Sequence, residues 1–547
     1  MIRSGLKQLT HRVARTAAAR AVARFRREED GSLIVFGLFC FVMMLLMTGV
    51  ALDVMRYEER RTVLQATIDR AALAAADLQQ TLPPKEVVKD YFVKAGLTPP
   101  KDEDIVVQQG AYNEYRKVAV KTSENMPTWF MRMVGINEMT TPAASTAEES
   151  IGQVEISLIL DISGSMGRNN RLTNLKPAAK NFVDKIFDST EPGKVSISIV
   201  PYSTQVNLTD DFASYFNISG EHGYSNCIEF DKAKGDFDTT AMDVGFGAGA
   251  RVYQRNGHFD PFYTRKPPRL LNCRTESEAK ILPFSGNRDE LKSFINSLSA
   301  GGNTSIDIGM KWGAALLDSS LQPVVDGMIA DGKLPAAFGD RPYAFDDAEA
   351  LKIIVLMTDG ENTTEYRLKP AYASGDSLLY TNTAYLSSGS KSIDQYSFYD
   401  PTRSSKKYYS FKKEKWLDKP YGDNSGDPGD AVRMTWPEVW DAMSLRYYAY
   451  NILYEATRSA SRYYDFFDEA FYGIASDKDD RTTRLCNAAK AHGVKIFTIA
   501  FEAPTGGQNL LKSCASADGG FYNVAGLDIE KAFAGIVNSI NKLRLTH

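Results

Sequence analysis

The chain has 547 residues, of which 43% are hydrophobic and 24% charged, with a formal net charge of −4 at pH 7. This length exceeds what one hydrophobic core normally serves, so we expect two or three structural units. The composition is that of a folded protein, and the charge balance has no nucleic-acid-binding footprint, so we expect no nucleic-acid partner.

A basic segment and a long apolar run open the chain. Residues 1–30 hold eight Lys and Arg side chains before their first acid, Glu28. Gly31 to Leu52 carries no charged side chain and has about the 20 residues needed to cross a bilayer as a helix. Because basic flanks stay in the cytoplasm, we predict a cytoplasmic tail (1–30), a single transmembrane helix (31–52) and an exported remainder.

A cleaved signal peptide is the main alternative to this anchor. Residues 71–77 (AALAAAD) contain the A-x-A triplets typical of a cleavage site. They lie about 20 residues beyond the apolar run, however, and the run is longer than a usual signal-peptide core. The pattern therefore favours the anchor.

Two smaller segments follow the span. Residues 53–82 repeat apolar side chains at helical spacing among charged ones and stop at Pro83, which predicts an amphipathic helical arm. Residues 83–150 include stretches in which polar and apolar residues alternate, which predicts a small α+β module and a linker.

The N-terminal pattern resembles a known family. Gly31, the apolar run, Asp53 and then Gln65, Asp69 and AALAAAD are similar to the N-terminal region shared by TadE/TadG-type proteins of the Flp (Tad) pilus system, over roughly residues 25–80. The related pilins carry a Glu five residues after the Gly of their peptidase site. Phe36 stands there in this chain, which favours a permanently anchored protein over a fibre subunit.

Apolar strands alternate with helices from residue 151 onward. Residues 154–160 form a continuous apolar strand that ends at Asp161, and residues 352–358 form another that ends at Asp359. This alternation predicts an α/β fold, a doubly wound and mostly parallel sheet. Ligands bind such sheets beyond the carboxyl ends of the strands, where both aspartates are expected.

The residues at these strand ends have the chemistry of a metal site. Asp161, Ser163 and Ser165 form a DxSxS motif, Thr304 lies in a Gly-rich turn, and Asp359 adds a second carboxylate. Carboxylate and hydroxyl oxygens without sulfur or imidazole favour Mg²⁺, with Mn²⁺ or Ca²⁺ possible, over Zn²⁺ or Cu.

These motifs carry a second resemblance. DISGS, GNTSIDIG and MTDGEN look like the metal-ion-dependent adhesion site (MIDAS) of von Willebrand factor A (VWA) domains, and none of the five site residues is substituted. Together with the anchor, the chain is similar to TadG-type pilus-assembly proteins. The resemblance implies a Rossmann-like VWA fold over 151–547 and a metal whose open coordination position is filled by an acidic residue of a partner protein.

Two insertions interrupt the predicted domain, at about 207–285 and 363–480. We expect them to cap the metal face and select the partner. In the second, Trp440, Met443, Tyr447, Tyr450 and Tyr454 recur at helical spacing, which indicates a packed helix or, alternatively, a partner-binding surface.

Four cysteines fall in the exported part. Cys227, Cys273, Cys486 and Cys514 suit two disulfides in an oxidising compartment, Cys227–Cys273 and Cys486–Cys514, although four cysteines allow three pairings and buried thiols are the alternative.

Three functions are compatible with these sequence features. The first, which we expect, is a non-enzymatic protein of Flp pilus assembly or adhesion in a bacterial inner membrane, with its VWA domain periplasmic or extracellular and other pilus or envelope components as candidate partners. The second is a minor pilus or pseudopilin-like subunit. The third is a metal-dependent hydrolase, which the absence of GxSxG, HExxH and P-loop motifs makes the weakest.

Overall fold

The computed structural model describes residues 20, 22, 24, 30–77, 80–109, 115–150, 152–246, 249–347, 350–387, 392–516 and 519–546. The predicted cytoplasmic tail therefore lies almost entirely outside the described residues. The chain divides into two compact units, Met1–Ser150 and Ile151–His547.

The first unit combines a long helix with a small sheet. Its helices are α1 (Asp30–Ala76) and α2 (Pro84–Lys94), and its strands are β1 (Ile105–Gln109), β2 (Tyr115–Pro127) and β3 (Glu138–Ser150), which form an antiparallel sheet in the order β1-β2-β3. The apolar window of α1 is only 6% buried, and α1 is the one helix among the described residues that is long and apolar enough to cross a membrane.

The second half of α1 belongs to the core of this unit. Leu64, Ile68, Ala71 and Ala75 are fully buried and pack in one cluster with side chains of α2 and of the sheet, including Phe92. The helical spacing of these apolar residues is what allows one face of α1 to be covered in this way.

The strands and the longer α-helices of the second unit follow in chain order. They are β4 (Gln153–Asp161), α3 (Arg171–Asp188), β5 (Val195–Tyr202), β6 (Ile228–Glu229), β7 (Gln254–Arg255), β8 (Leu282–Ser285), α4 (Arg288–Ser297), α5 (Ile306–Ala315), α6 (Gln322–Ala330), β9 (Ala350–Thr358), β10 (Glu365–Leu368), β11 (Asp376–Asn382), β12 (Tyr396–Tyr399), β13 (Tyr408–Ser410), β14 (Lys415–Leu417), β15 (Ala431–Thr435), α7 (Trp436–Ala442), α8 (Ala460–Ala470), β16 (Phe471–Ile474), α9 (Lys478–Ala491), β17 (Lys495–Phe501), α10 (Thr505–Cys514), β18 (Phe521–Val524) and α11 (Ile529–Thr546).

A six-stranded sheet organises this unit, in the order β18-β17-β9-β4-β5-β8. All neighbours are parallel except β8, which runs antiparallel to β5 at the edge. Helices α3, α4 and α11 share a core with one face of the sheet, and α5, α6, α9 and α10 share a core with the other. The central strands are buried on both faces, which is why apolar side chains predominate in them.

The two insertions differ in how they are built. The first packs aromatic residues such as Phe230 and Phe237 against Trp312 in the core on one face of the sheet. The second has its own five-stranded sheet, in the order β14-β13-β12-β11-β15, and its own aromatic core, while β10 pairs with β16 where this insertion leaves and rejoins the domain.

The aromatic stripe of the second insertion divides between core and surface. Trp440 and Met443 are fully buried, whereas Tyr450 is 52% exposed. The five residues do not share one helix: α7 ends at Ala442, Met443 is extended, and a second helical stretch begins at Leu445 and is a π-helix over Tyr448–Tyr454. The single helix that the spacing predicts is therefore wrong.

Two disulfides are present. Cys227 is bonded to Cys273 within the first insertion, and Cys486 to Cys514 between α9 and α10. These are the same two pairs that the sequence suggests. Cys40, in the apolar run, is free.

Candidate metal site

The carboxyl end of β4 provides the centre of the candidate site. Asp161 is its last residue and is fully buried. One carboxylate oxygen of Asp161 accepts the Ser163 N–H at 2.8 Å, and the other accepts the Thr358 hydroxyl at 2.6 Å. Burial and the nearby Asp359 carboxylate raise the pKa of Asp161 to about 6. Asp161 thus carries a buried negative charge that a cation in this place would stabilise.

A chain of hydrogen bonds joins the DxSxS loop to the end of β9. The hydroxyl oxygens of Ser163 and Ser165 lie 3.0 Å apart, and Ser165 donates to Oδ1 of Asp359 at 2.6 Å. Because β4 and β9 are adjacent and parallel, their carboxyl ends meet at one edge, which brings the two aspartates together.

Thr304 reaches the same place from the loop before α5. This loop is joined to the DxSxS loop by the Gly301 N–H to the Ile162 carbonyl (2.8 Å) and by the Gly164 N–H to the Gly302 carbonyl (2.9 Å). The Thr304 hydroxyl oxygen lies 3.8 Å from where a Cβ on Gly360 would stand, beside Asp359. The structure therefore gathers all five residues singled out in the sequence.

A basic residue completes the surroundings of Asp359. Arg171, at the start of α3, donates to Oδ2 of Asp359 at 2.7 Å and to the Glu502 carboxylate at 2.9 Å. The sequence does not predict a role for Arg171 or Glu502, since neither belongs to a motif.

Buried Lys478 holds two of the site loops together. Its ammonium donates to the Thr304 carbonyl (3.2 Å), the Ser305 hydroxyl (2.5 Å) and the Thr363 carbonyl (2.8 Å). The loop that supplies Thr304 and the loop that follows Asp359 are therefore joined through one cation.

The donor set fits a hard cation. It offers two buried carboxylates and three hydroxyls, all oxygen, which are the ligands that Mg²⁺, Mn²⁺ and Ca²⁺ take. No group of three or more His, Cys, Asp or Glu side chains that could hold a metal occurs in the part of the chain that the structure describes. The five residues differ from such a group because only two of them carry carboxylates and the other three carry hydroxyls.

A cleft adjoins these loops. It has a volume of about 370 Å³ and is lined by Gly164 and by the 300–303 turn on one side, and by residues of both insertions on the other. The insertion residues include Phe262 and Leu270, which are 41% and 55% exposed, and Tyr366. Asp260 is fully buried and accepts four backbone N–H groups, those of Phe262, Tyr263, Arg269 and Leu270, so the loop that presents Phe262 and Leu270 is held in shape.

The N-terminal segment is similar to a protein family. Residues 31–78 match the Flp pilus-assembly TadE/G-like family. Of the matched residues, 31–76 belong to α1 and comprise the apolar run and the part of α1 that enters the core of the first unit. No curated protein matches the chain.

Several solved structures share similarity with the chain at low identity. The pilus adhesin SpaC from Lactobacillus rhamnosus GG aligns with 12% identity and a TM-score of 0.30, over 81% of this chain and 34% of that one. The vWF domain of the type V pili tip protein Mfa5 from Porphyromonas gingivalis aligns with 16% identity and a TM-score of 0.30, over 72% of this chain and 96% of that one. The pilus adhesin RrgA from Streptococcus pneumoniae aligns with 11% identity and a TM-score of 0.31, over 80% and 48%. The chain thus spans about a third of SpaC and about half of RrgA.

Proposed function

We propose that the protein is a membrane-anchored component of Flp pilus assembly or adhesion that binds a partner protein through a divalent cation held by a VWA domain. The single observation that carries the proposal is the convergence of Asp161, Ser163, Ser165, Thr304 and Asp359 at one edge of the sheet. Mg²⁺ is the favoured ion, with Mn²⁺ and Ca²⁺ as substitutes.

The sheet supports the assignment of the domain. A parallel sheet with one antiparallel edge strand and helices on both faces matches the doubly wound arrangement expected of a VWA domain. The five residues lie at the carboxyl ends of central strands or in the loops beside them, where such sheets bind ligands.

The packing of α1 supports an anchor over a cleaved signal peptide. Cleavage within residues 71–77 would remove Leu64 and Ile68, which are fully buried in the core of the first unit. The match of residues 31–78 to the TadE/G-like family supports a role in the pilus system. An inner-membrane anchor would place the VWA domain on the exported side.

Recognition, not catalysis, is the role we assign to the site. An acidic side chain of the partner would complete the coordination of the cation, while neighbouring partner residues would enter the cleft beside Phe262 and Leu270. The insertions would then decide which partner fits.

Cation binding tests the site directly. Titration of the purified full-length protein with Mn²⁺, followed by electron paramagnetic resonance, should show one bound ion that Mg²⁺ displaces. Asp161→Ala and Ser165→Ala should abolish this binding or weaken it severely, whereas Asp289→Ala, at an exposed position of α4, should leave it unchanged. Equal Mn²⁺ binding by Asp161→Ala and the wild type would refute the metal site.

Partner capture tests the biological role. Crosslinking in cells should recover pilus or envelope components with the wild type but not with Asp359→Ala. Recovery of the protein in sheared pili would instead indicate a fibre subunit.

A further inference from the structure

The turn between β2 and β3 exposes an apolar surface. Trp129 is 58% exposed, Met133 71%, Val134 59% and Ile136 42%. These residues surround a short 3₁₀ helix, Met131–Val134, and we call residues 128–137 the hairpin tip. A cluster of this kind is unusual on a water-facing surface and marks a contact with another apolar phase.

The hairpin tip is fixed against α1 at a defined position along the helix axis. The ring of Phe130 packs on Gly49 so closely that a Cβ at Gly49 would lie 2.5 Å from it. One turn further along α1, fully buried Asp53 accepts the backbone N–H groups of Trp129 (3.0 Å), Phe130 (2.7 Å) and Met131 (2.8 Å).

A cation–π contact adds to this attachment. The guanidinium of Arg56 lies 3.7 Å from the centre of the Trp129 ring and 3.5 Å from the Asp53 carboxylate. Three positions spaced along one face of α1, Gly49, Asp53 and Arg56, therefore hold the tip.

The part of α1 that contacts the hairpin tip coincides with the end of the apolar run. Gly49 lies three residues before Leu52, or about 4.5 Å inside the end of the run at 1.5 Å per residue. The side chains of residues 32–45 are mostly exposed, with no described part of the chain covering them. If this run crosses a bilayer, the hairpin tip lies at its boundary on the exported side.

The composition of the tip suits that boundary. Aromatic rings concentrate where hydrocarbon meets headgroups, as Trp129 and Phe130 would here. Arg132, also exposed, has an apolar stem long enough to remain in the boundary while its charge reaches lipid phosphates.

We propose that the hairpin tip inserts into the exported-side face of the bilayer beside the protein's own span, as a second lipid contact that sets the orientation of the first unit. The partner is the lipid surface at the junction of acyl chains and headgroups. The inference rests on the membrane anchorage proposed above.

Three single labelling positions separate the two proposals. The full-length protein is reconstituted in phosphatidylcholine/phosphatidylglycerol vesicles and carries one environment-sensitive fluorophore. The fluorophore is attached to native Cys40 in one sample. In two others, which carry Cys40→Ser, it is attached to the cysteine of Met133→Cys or of Glu148→Cys. Glu148 is exposed and lies opposite Lys117 on β2. Lys117 is ten residues, or about 33 Å, from Pro127, the last residue of β2 before the hairpin tip. Quenching is measured with nitroxide-bearing lipids and with aqueous iodide.

The expected pattern separates the two membrane positions, 40 and 133, from the water-facing position 148. Labels at Cys40 and at position 133 should have blue-shifted emission, strong quenching by lipid nitroxides and little quenching by iodide, and the label at position 148 should behave in the opposite way. Quenching of Cys40 but not of position 133 by lipid nitroxides overturns the hairpin proposal alone. Failure at Cys40 overturns the anchor. A label at position 133 that neither agent quenches places the tip in a protein contact and also overturns the inference.

Discussion

Arg171 donates a 2.7 Å charged hydrogen bond to Asp359, so the carboxylate that would bind the cation already has a positive partner. The same guanidinium pairs with Glu502 at 2.9 Å, which holds it in place. A bound divalent ion would lie close to this guanidinium, and the two positive charges would repel each other.

Neutralising this guanidinium should therefore tighten cation binding. Arg171→Gln removes a unit charge near the divalent ion, and we expect a several-fold gain in affinity, on the order of 1 kcal/mol. Mn²⁺ titration of the full-length protein measures it. Lys176→Gln is the matched control, because it removes the same charge from a half-buried position of the same helix, where Lys176 donates to the Asn296 carbonyl. Weaker binding by Arg171→Gln would mean that Arg171 chiefly orients Asp359.

Loss of the Lys478 ammonium should weaken the site and the fold together. Lys478→Met leaves the Thr304 and Thr363 carbonyls without their donor and leaves buried Asp307, 3.6 Å from the ammonium, less compensated. We expect the free energy of unfolding to fall by on the order of 3 kcal/mol and Mn²⁺ affinity to fall with it, as measured by urea unfolding and by titration at a temperature where the variant is folded.

Lys311→Met provides the comparison for this variant. Lys311 is also buried and donates to two carbonyls, those of Thr239 and Ala241, but it contacts neither site loop. Lys311→Met should lower the free energy of unfolding without lowering the affinity for Mn²⁺. Equal effects of both variants on cation binding would show that Lys478 acts only through general stability.

Glu229 should make stability depend on pH. Burial, opposed by Arg367 and reinforced by Glu365, raises the pKa of Glu229 to about 7. As the pH rises, the unfolded chain therefore loses the Glu229 proton at a lower pH than the folded chain does. The stability that the protonated Glu229 contributes is full below about pH 4.5 and is lost as the pH rises to about 7. Between pH 5 and pH 7.5 the free energy of unfolding, measured in urea, should fall by on the order of 2 kcal/mol less in Glu229→Gln than in the wild type. Exposed Glu276→Gln should keep the wild-type dependence, and an unchanged slope in Glu229→Gln would contradict the prediction.

The disulfide between α9 and α10 should stabilise the domain through loop closure. Cys486 and Cys514 are 28 residues apart, and the double change to Ala should lower the free energy of unfolding by about 3.6 kcal/mol, as measured by denaturant unfolding under non-reducing conditions. The wild type in reductant should approach the variant. A variant as stable as the oxidised wild type would be evidence against the bond.

Strand runs and the site motif could be read directly from the sequence. Residues 154–160, 195–202 and 352–358 are rich in apolar side chains, and the structure has strands there, because central parallel strands are buried on both faces. Thr358 could also be predicted as a site residue from the sequence, since it directly precedes Asp359. In the structure it donates to Asp161.

The residues that surround the site were decided only by tertiary structure. Arg171 and Asp359 are 188 residues apart, and Lys478 and Thr304 are 174 apart. No local pattern links such pairs, since their contact depends on the order of the strands and on how the helices pack. Asp53 and the hairpin tip, 76 to 78 residues apart, are a further case.

By itself, the sequence determined which residues could bury apolar faces, which oxygens could bind a hard cation and where a helix could cross a membrane. These properties depend on side-chain chemistry and local spacing. Only the tertiary structure decided that Arg171 pairs with Asp359, that both insertions line the cleft and that the hairpin tip lies beside the end of the span, because each follows from packing between distant segments.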